Sequence, residues 1–185
     1  MSQTPQRSRY SMGSAANMVR SMLVVGGLVL LLIVLVPRVT SVSGPPVDVA
    51  ATAATVARDS GRTVLVATGL PEGWTETSAR YVRSTDGLMT WHAGYRTPED
   101  TYVAVEQTVD ATQQWVDAQT NRARRVGEVT AGGRTWVTYA RDGKVQNSML
   151  DRRTGAGEAT TLVTGTADFD VMTDFVGYLR EVRPA

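Results

Sequence analysis

The chain contains no cysteine and only one histidine, His92. Without cysteine there is no disulfide, no thiolate nucleophile and no Cys-ligated zinc site, whatever the redox state of the compartment. A lone histidine excludes a multi-histidine metal centre, and it routes any serine–histidine–acid hydrolase through His92. An excess of one charge is missing as well: 19 Lys+Arg stand against 18 Asp+Glu, for a formal net charge of +1. Such a balance leaves no electrostatic footprint for nucleic acid.

What the chain has is one long apolar run, Met22 to Val36, with Arg20 before it and Pro37-Arg38 after it. At the helical rise it reaches ~22 Å, short of a hydrocarbon core of ~30 Å, so the flanks must supply the rest. Residues 18–37 complete a transmembrane helix if Arg20 and Arg38 snorkel toward the headgroups. Apolar residues on every face, with no polar stripe, fit lipid better than a soluble core. The rival is a cleaved signal peptide, with Arg7, Arg9 and Arg20 as its basic region and Ser41-Val42-Ser43 as the cleavage site. Residues 1–37 carry +3 and no acid, whereas from Arg38 onward 16 basic residues face 18 acidic ones, a formal −2. The positive-inside rule therefore puts the N-terminus in the cytoplasm and the remainder outside the cell membrane.

The organisation expected is a disordered cytoplasmic tail (1–17), the transmembrane helix (18–37), a Ser/Gly/Pro linker (38–46) and an exported domain (47–185). The domain reads as α+β, a mainly antiparallel sheet of about seven strands with packed helices. Val49, Ala53 and Val56 lie at helical spacing in a first helix, Val47 to Arg58, stopped by Gly61. Strand-forming runs follow at 62–68 and 75–83, with Trp74 as a core plug between them. Asp110 is placed to cap a helix over 111–119. Asn121 to Arg125 is an arginine-rich segment, read as a solvated helix end or as a site for phosphate or lipid headgroups. Gly-rich turns then separate strands at 125–130, 134–141, 145–153 and 158–165, as in a meander. Asp168 opens a final helix to Arg180 with Phe169, Met172, Phe175, Val176 and Leu179 on its core face.

The clearest local signal is a hairpin over 88–109. A turn centred on Pro98-Glu99 sets Trp91 opposite Glu106, Ala93 opposite Ala104 and Tyr95 opposite Tyr102. On that register Trp91, Tyr95, Tyr102 and Glu106 share one face, as a stable cross-strand set or as an aromatic-lined surface for a ligand or partner. His92, Gly94, Val103 and Val105 take the other face. His92 then has no serine and no carboxylate opposite it, so no catalytic, metal or cofactor-binding residue is assigned and no cofactor is expected.

The stretches NMVRSM before the apolar run, LPEGWTETSARY (70–81), TWHAGYRTPEDTYVAVEQ (90–107) and VTGTAD (163–168) resemble the actinobacterial single-pass membrane proteins of domain of unknown function 4245. Lysine is nearly absent beside 18 arginines, a usage that fits a GC-rich genome of that kind. The resemblance implies a retained anchor and a single-pass topology, and it carries no activity or catalytic residue to transfer. The function expected is that of a non-enzymatic, membrane-anchored binding or accessory protein of the cell envelope. Its partners would be the bilayer, through 18–37, and an envelope protein or lipid, with no nucleic acid. A small-ligand or lipid-binding module on the hairpin's aromatic face is the second reading, and a hydrolase using His92 the third.

Overall fold

A computed structural model describes residues 15–35, 47–84, 86–141, 143, 145–153 and 157–184. The expected tail up to residue 14 and the linker up to residue 46 lie outside the described residues. The chain divides into two compact units, Met1–Ser43 and Gly44–Ala185.

Among its described residues the first unit contains one helix, α1 (Ala15–Leu35). Its only described charge is Arg20, and its apolar side chains are exposed all round, from Met22 at 75% to Val29 at 47%. Among the described residues no helix is long and apolar enough to cross a membrane. The side chains described in α1 run from residue 17 to 33, ~25 Å at the helical rise, and the expected end of the span at Val36-Pro37 is outside them.

The second unit is an α+β domain. Its elements are α2 (Val49–Ser60), β1 (Val64–Ala67), β2 (Thr75–Arg83), β3 (Met89–Arg96), β4 (Tyr102–Val109), α3 (Gln113–Gln119), β5 (Arg124–Ala131), β6 (Arg134–Arg141), β7 (Gln146–Asp151), β8 (Ala159–Gly165), α4 (Phe169–Val176) and β9 (Leu179–Val182). Seven strands form an antiparallel sheet in the order β2-β3-β4-β8-β7-β6-β5. Two meanders thus meet at the centre, where β4 pairs with β8, and α3 carries the chain from β4 to the far edge at β5.

One face of the sheet, called face A here, buries Trp91, Ala93, Tyr95, Val103, Val105, Met149 and Val163 against α2, α4 and β1. Helix α2 lies close because the residues it buries include Ala53 and Ala57. Its first turn is satisfied from two sides: Asp48 accepts from the Ala51 N–H at 2.7 Å and Glu76 accepts from the Val49 N–H at 2.9 Å. Gly61 closes it at φ 66°, as expected of its stop. Trp74 is half-buried and stacks on Phe175, with ring centroids 5.6 Å apart. The opposite face, face B, carries a smaller cluster of Trp115, Val116, Leu150 and Leu162 under α3.

Three expectations are corrected. The final helix stops at Val176, and Leu179, assigned to its core stripe, instead begins β9, which pairs antiparallel with β1 from Ala67↔Leu179 to Val64↔Val182. A glycine at the C-cap, with Gly177 and Tyr178 N–H groups bonded back to the Asp174 and Phe175 carbonyls, turns the chain there. Helix α3 is capped by the Thr112 hydroxyl, which accepts from the Trp115 N–H at 3.0 Å, whereas Asp110 sits in a left-handed turn at φ 56°. The arginine-rich segment begins as the exposed end of α3, as expected: Asn121 and Arg122 turn left-handed (φ 54° and 55°) with their N–H groups bonded back to the Ala118 and Asp117 carbonyls, and Arg124 and Arg125 then open β5.

The third correction is the hairpin register. The turn is a three-residue loop, Pro98-Glu99-Asp100, closed by the Thr97 N–H donating to the Thr101 carbonyl at 2.9 Å, with Asp100 left-handed at φ 62°. Arg96 therefore pairs with Tyr102, Gly94 with Ala104, His92 with Glu106 and Trp91 with Gln107. Moving the pairing by one residue reverses which β4 side chains share a face with those of β3.

Candidate functional site

The corrected register divides the aromatic set. Trp91 and Tyr95 point into face A, at 1% and 0% exposure, while Tyr102 and Glu106 stand on face B. On face A both aromatics and Gln107 clasp β1. The Trp91 indole N–H donates to the Leu65 carbonyl at 2.9 Å, the Tyr95 hydroxyl accepts from the Ala67 N–H at 3.0 Å, and Gln107 Oε1 accepts from the Leu65 N–H at 2.6 Å. These side chains supply the partners that the edge of β1 lacks on its sheet-facing side. Burial pushes the Tyr95 hydroxyl up to about 12, against the Ala67 N–H, which favours the phenolate; the Glu76 charge adds to the rise.

Face A is not closed everywhere. Trp91 also borders a cleft of about 240 Å³ with Tyr81, Leu88, Gln107 and Asp110, but Tyr95, Tyr102 and Glu106 do not line it. A second, more polar groove of about 560 Å³ is lined by Arg62, Arg134, Arg153 and Glu181. Two of its arginines are already committed, since Arg134 and Arg153 approach the Asp151 carboxylate at 3.0 and 3.7 Å.

Face B brings together what the sequence reading kept apart. His92 Nδ1 is 2.5 Å from Glu106 Oε1, and His92 Nε2 is 2.8 Å from Ser78 Oγ and 3.2 Å from the Tyr102 hydroxyl. With Glu106 ionised, Nδ1–H donates to the carboxylate and Nε2 is left to accept a hydroxyl proton. The result is a lateral chain of polar groups, one from each of β2, β3 and β4, in the order serine, histidine, carboxylate. His92 and Glu106 are buried, at 5% and 7% exposure. Ser78 is half-buried on the edge strand.

The backbone prepares this convergence. Ser78 lies opposite Gly94 and Arg80 opposite His92, and a register shift between Glu76 and Ser78 turns the strand just before the serine. Gly94 leaves the space in which the cluster meets: a β-carbon there would lie 2.5 Å from Ser78 Oγ and would also overlap the Tyr102 hydroxyl. Beside the cluster a groove of about 260 Å³ opens between the sheet and α3. Arg80, Thr90, His92, Glu106 and Gln119 are among its lining residues. Its wall residue Thr90 accepts at Oγ1 from the indole N–H of Trp115 on α3, at 3.0 Å.

Ser78 was absent from the sequence reading. Its signal was the pattern Ser-x-Arg on an edge strand, which is unremarkable until β2 is placed beside β3. Among the described residues no group of three or more metal-ligating side chains is assembled.

The sequence model of a family described as "Protein of unknown function (DUF4245)" matches residues 11–179. No curated protein and no solved structure matches the chain.

Proposed function

Because the chain belongs to the DUF4245 family of proteins of unknown function, we propose from its own residues that it is a membrane-anchored extracytoplasmic domain. In this reading it binds a polar component of an actinobacterial cell envelope in the face B groove. The observation that carries the binding role is the buried His92–Glu106 pair at a groove lined also by Arg80, Thr90 and Gln119. Buried, mutually bonded polar groups in the wall of a concavity suit a hydrogen-bonding ligand. The anchor is supported by α1, whose apolar side chains face outward on all sides within its unit, and by the +3 charge that precedes residue 38.

Two experiments test the parts separately. Because the chain lacks cysteine, a single one can report topology. An impermeant maleimide on intact cells is expected to label Glu181→Cys, and to label Ser2→Cys only after lysis. Labelling in the opposite sense, or recovery of the protein in the soluble fraction, would overturn the anchor. For the groove, native mass spectrometry of the full chain released from its own membranes is expected to retain a bound component. That component should be lost in Arg80→Glu and kept in Arg125→Glu, on β5; equal retention in both would overturn the groove.

A further inference from the structure

We propose that Ser78 is a nucleophile and that the chain hydrolyses carboxylic esters on face B, at the edge strand beside the groove. The inference goes beyond the binding role and requires neither the membrane nor an envelope partner. It rests on geometry: Ser78 Oγ at 2.8 Å from His92 Nε2, and His92 Nδ1 at 2.5 Å from Glu106 Oε1. A hydroxyl within hydrogen-bond reach of an imidazole, itself oriented by a carboxylate, is the arrangement that activates serine on unrelated folds. Other features of the site serve the same chemistry. Gly94 leaves room for Ser78 Oγ and the Tyr102 hydroxyl to meet beside His92. Ser78 stands on the outer strand of the sheet, directly after a bulge, where an acyl group can approach it. Arg80, opposite His92, lines the groove and carries the charge to meet a carbonyl oxygen as it becomes anionic. Ser78 itself does not line the groove of about 260 Å³, whose walls include its neighbours His92 and Arg80.

In the reaction, Ser78 Oγ forms a bond to the ester carbonyl carbon as its proton passes to His92 Nε2. Glu106 holds the resulting imidazolium in place. Collapse of the tetrahedral adduct breaks the bond to the alcohol oxygen, which leaves with the proton from Nε2, and the acyl group stays on Ser78. Water then adds to the acyl carbon, giving its proton to Nε2; the bond to Ser78 Oγ breaks, the carboxylic acid departs and Ser78 recovers its proton. No oxidant, metal or further reactant enters the balance.

The test uses the full chain in detergent micelles with two probes, a fluorophosphonate and p-nitrophenyl acetate. The expected result is a phosphonyl adduct on the peptide containing Ser78, absent from Ser78→Ala. Release of p-nitrophenolate should fall about 100-fold or more in Ser78→Ala and in His92→Gln. Glu106 acts through His92, so Glu106→Gln should lower kcat while leaving KM within about twofold. Near-UV circular dichroism matching the wild type confirms that Ser78→Ala is folded. No adduct at Ser78 under excess probe, or turnover in folded Ser78→Ala equal to wild type, would overturn the proposal. Neither outcome depends on topology or on retention of an envelope ligand.

Discussion

Tyr95 shows how a side chain that looks like a binding group can be committed to the fold. Its ring meets Phe175 at 5.2 Å and its hydroxyl satisfies the Ala67 N–H. The unfolded phenol loses its proton near 10.0 and the folded one at about 12. Between those values the native state holds a proton that the unfolded state has released. The contribution is therefore complete below pH 10.0 and lost as pH rises toward 12, by at most ~1.4 kcal/mol per pH unit. Tyr95→Phe should lose about 1 kcal/mol at pH 7, because the Ala67 N–H is left unpaired. It should also remove this residue's share of the alkaline decline, as read from urea unfolding of both proteins over the same pH range. The composition made Tyr95 visible as an aromatic on a strand, but which β4 residues share its face depended on a turn whose left-handed residue, Asp100, is neither Gly nor Asn.

At the scale of elements, most strands were legible because Gly-rich turns bracket them and β-branched residues fill them. Strands 75–83 and 134–141 were expected with the boundaries they have. Register and pairing partners were not legible, since alternation along a strand is the same before and after a shift of one residue. That single position separates a His92 with no carboxylate opposite it from one bonded to Glu106. The β9 strand was hidden for a different reason. Phe169, Met172, Phe175, Val176 and Leu179 keep a helical period through Gly177, and only the pairing with β1 reveals the change. The central pair β4–β8 depends on a glycine for a steric reason. A β-carbon at Gly165 would sit 2.7 Å from the Tyr102 carbonyl carbon and 3.0 Å from Val103 Cα. Gly165→Ala should thus destabilise the domain by about 2–3 kcal/mol, measured as a lower urea midpoint at unchanged m.

At the scale of the molecule, the α+β class and the seven-stranded antiparallel sheet were readable from the rhythm of strands and turns. The crossing at α3, which sends β5 to the far edge and brings β8 back to the middle, was not, because nothing local marks where a strand will dock. The two compact units lead to a further expectation. Residues 44–185 produced alone should melt within about 2 °C of the full chain in detergent, by calorimetry. A larger loss would mean that α1 contributes to the domain's stability. The β4–β8 seam also governs timing. Tyr102 and Thr166, bonded through the Tyr102 N–H and the Thr166 hydroxyl, lie 64 positions apart, and the strand that completes the sheet's centre is the last of its seven to be synthesised. Each meander must wait unsealed along one edge until β8 arrives, so the domain closes as one late, long-range event. A chain stopped short of Gly165 would present two open edges to any neighbour instead of half a fold.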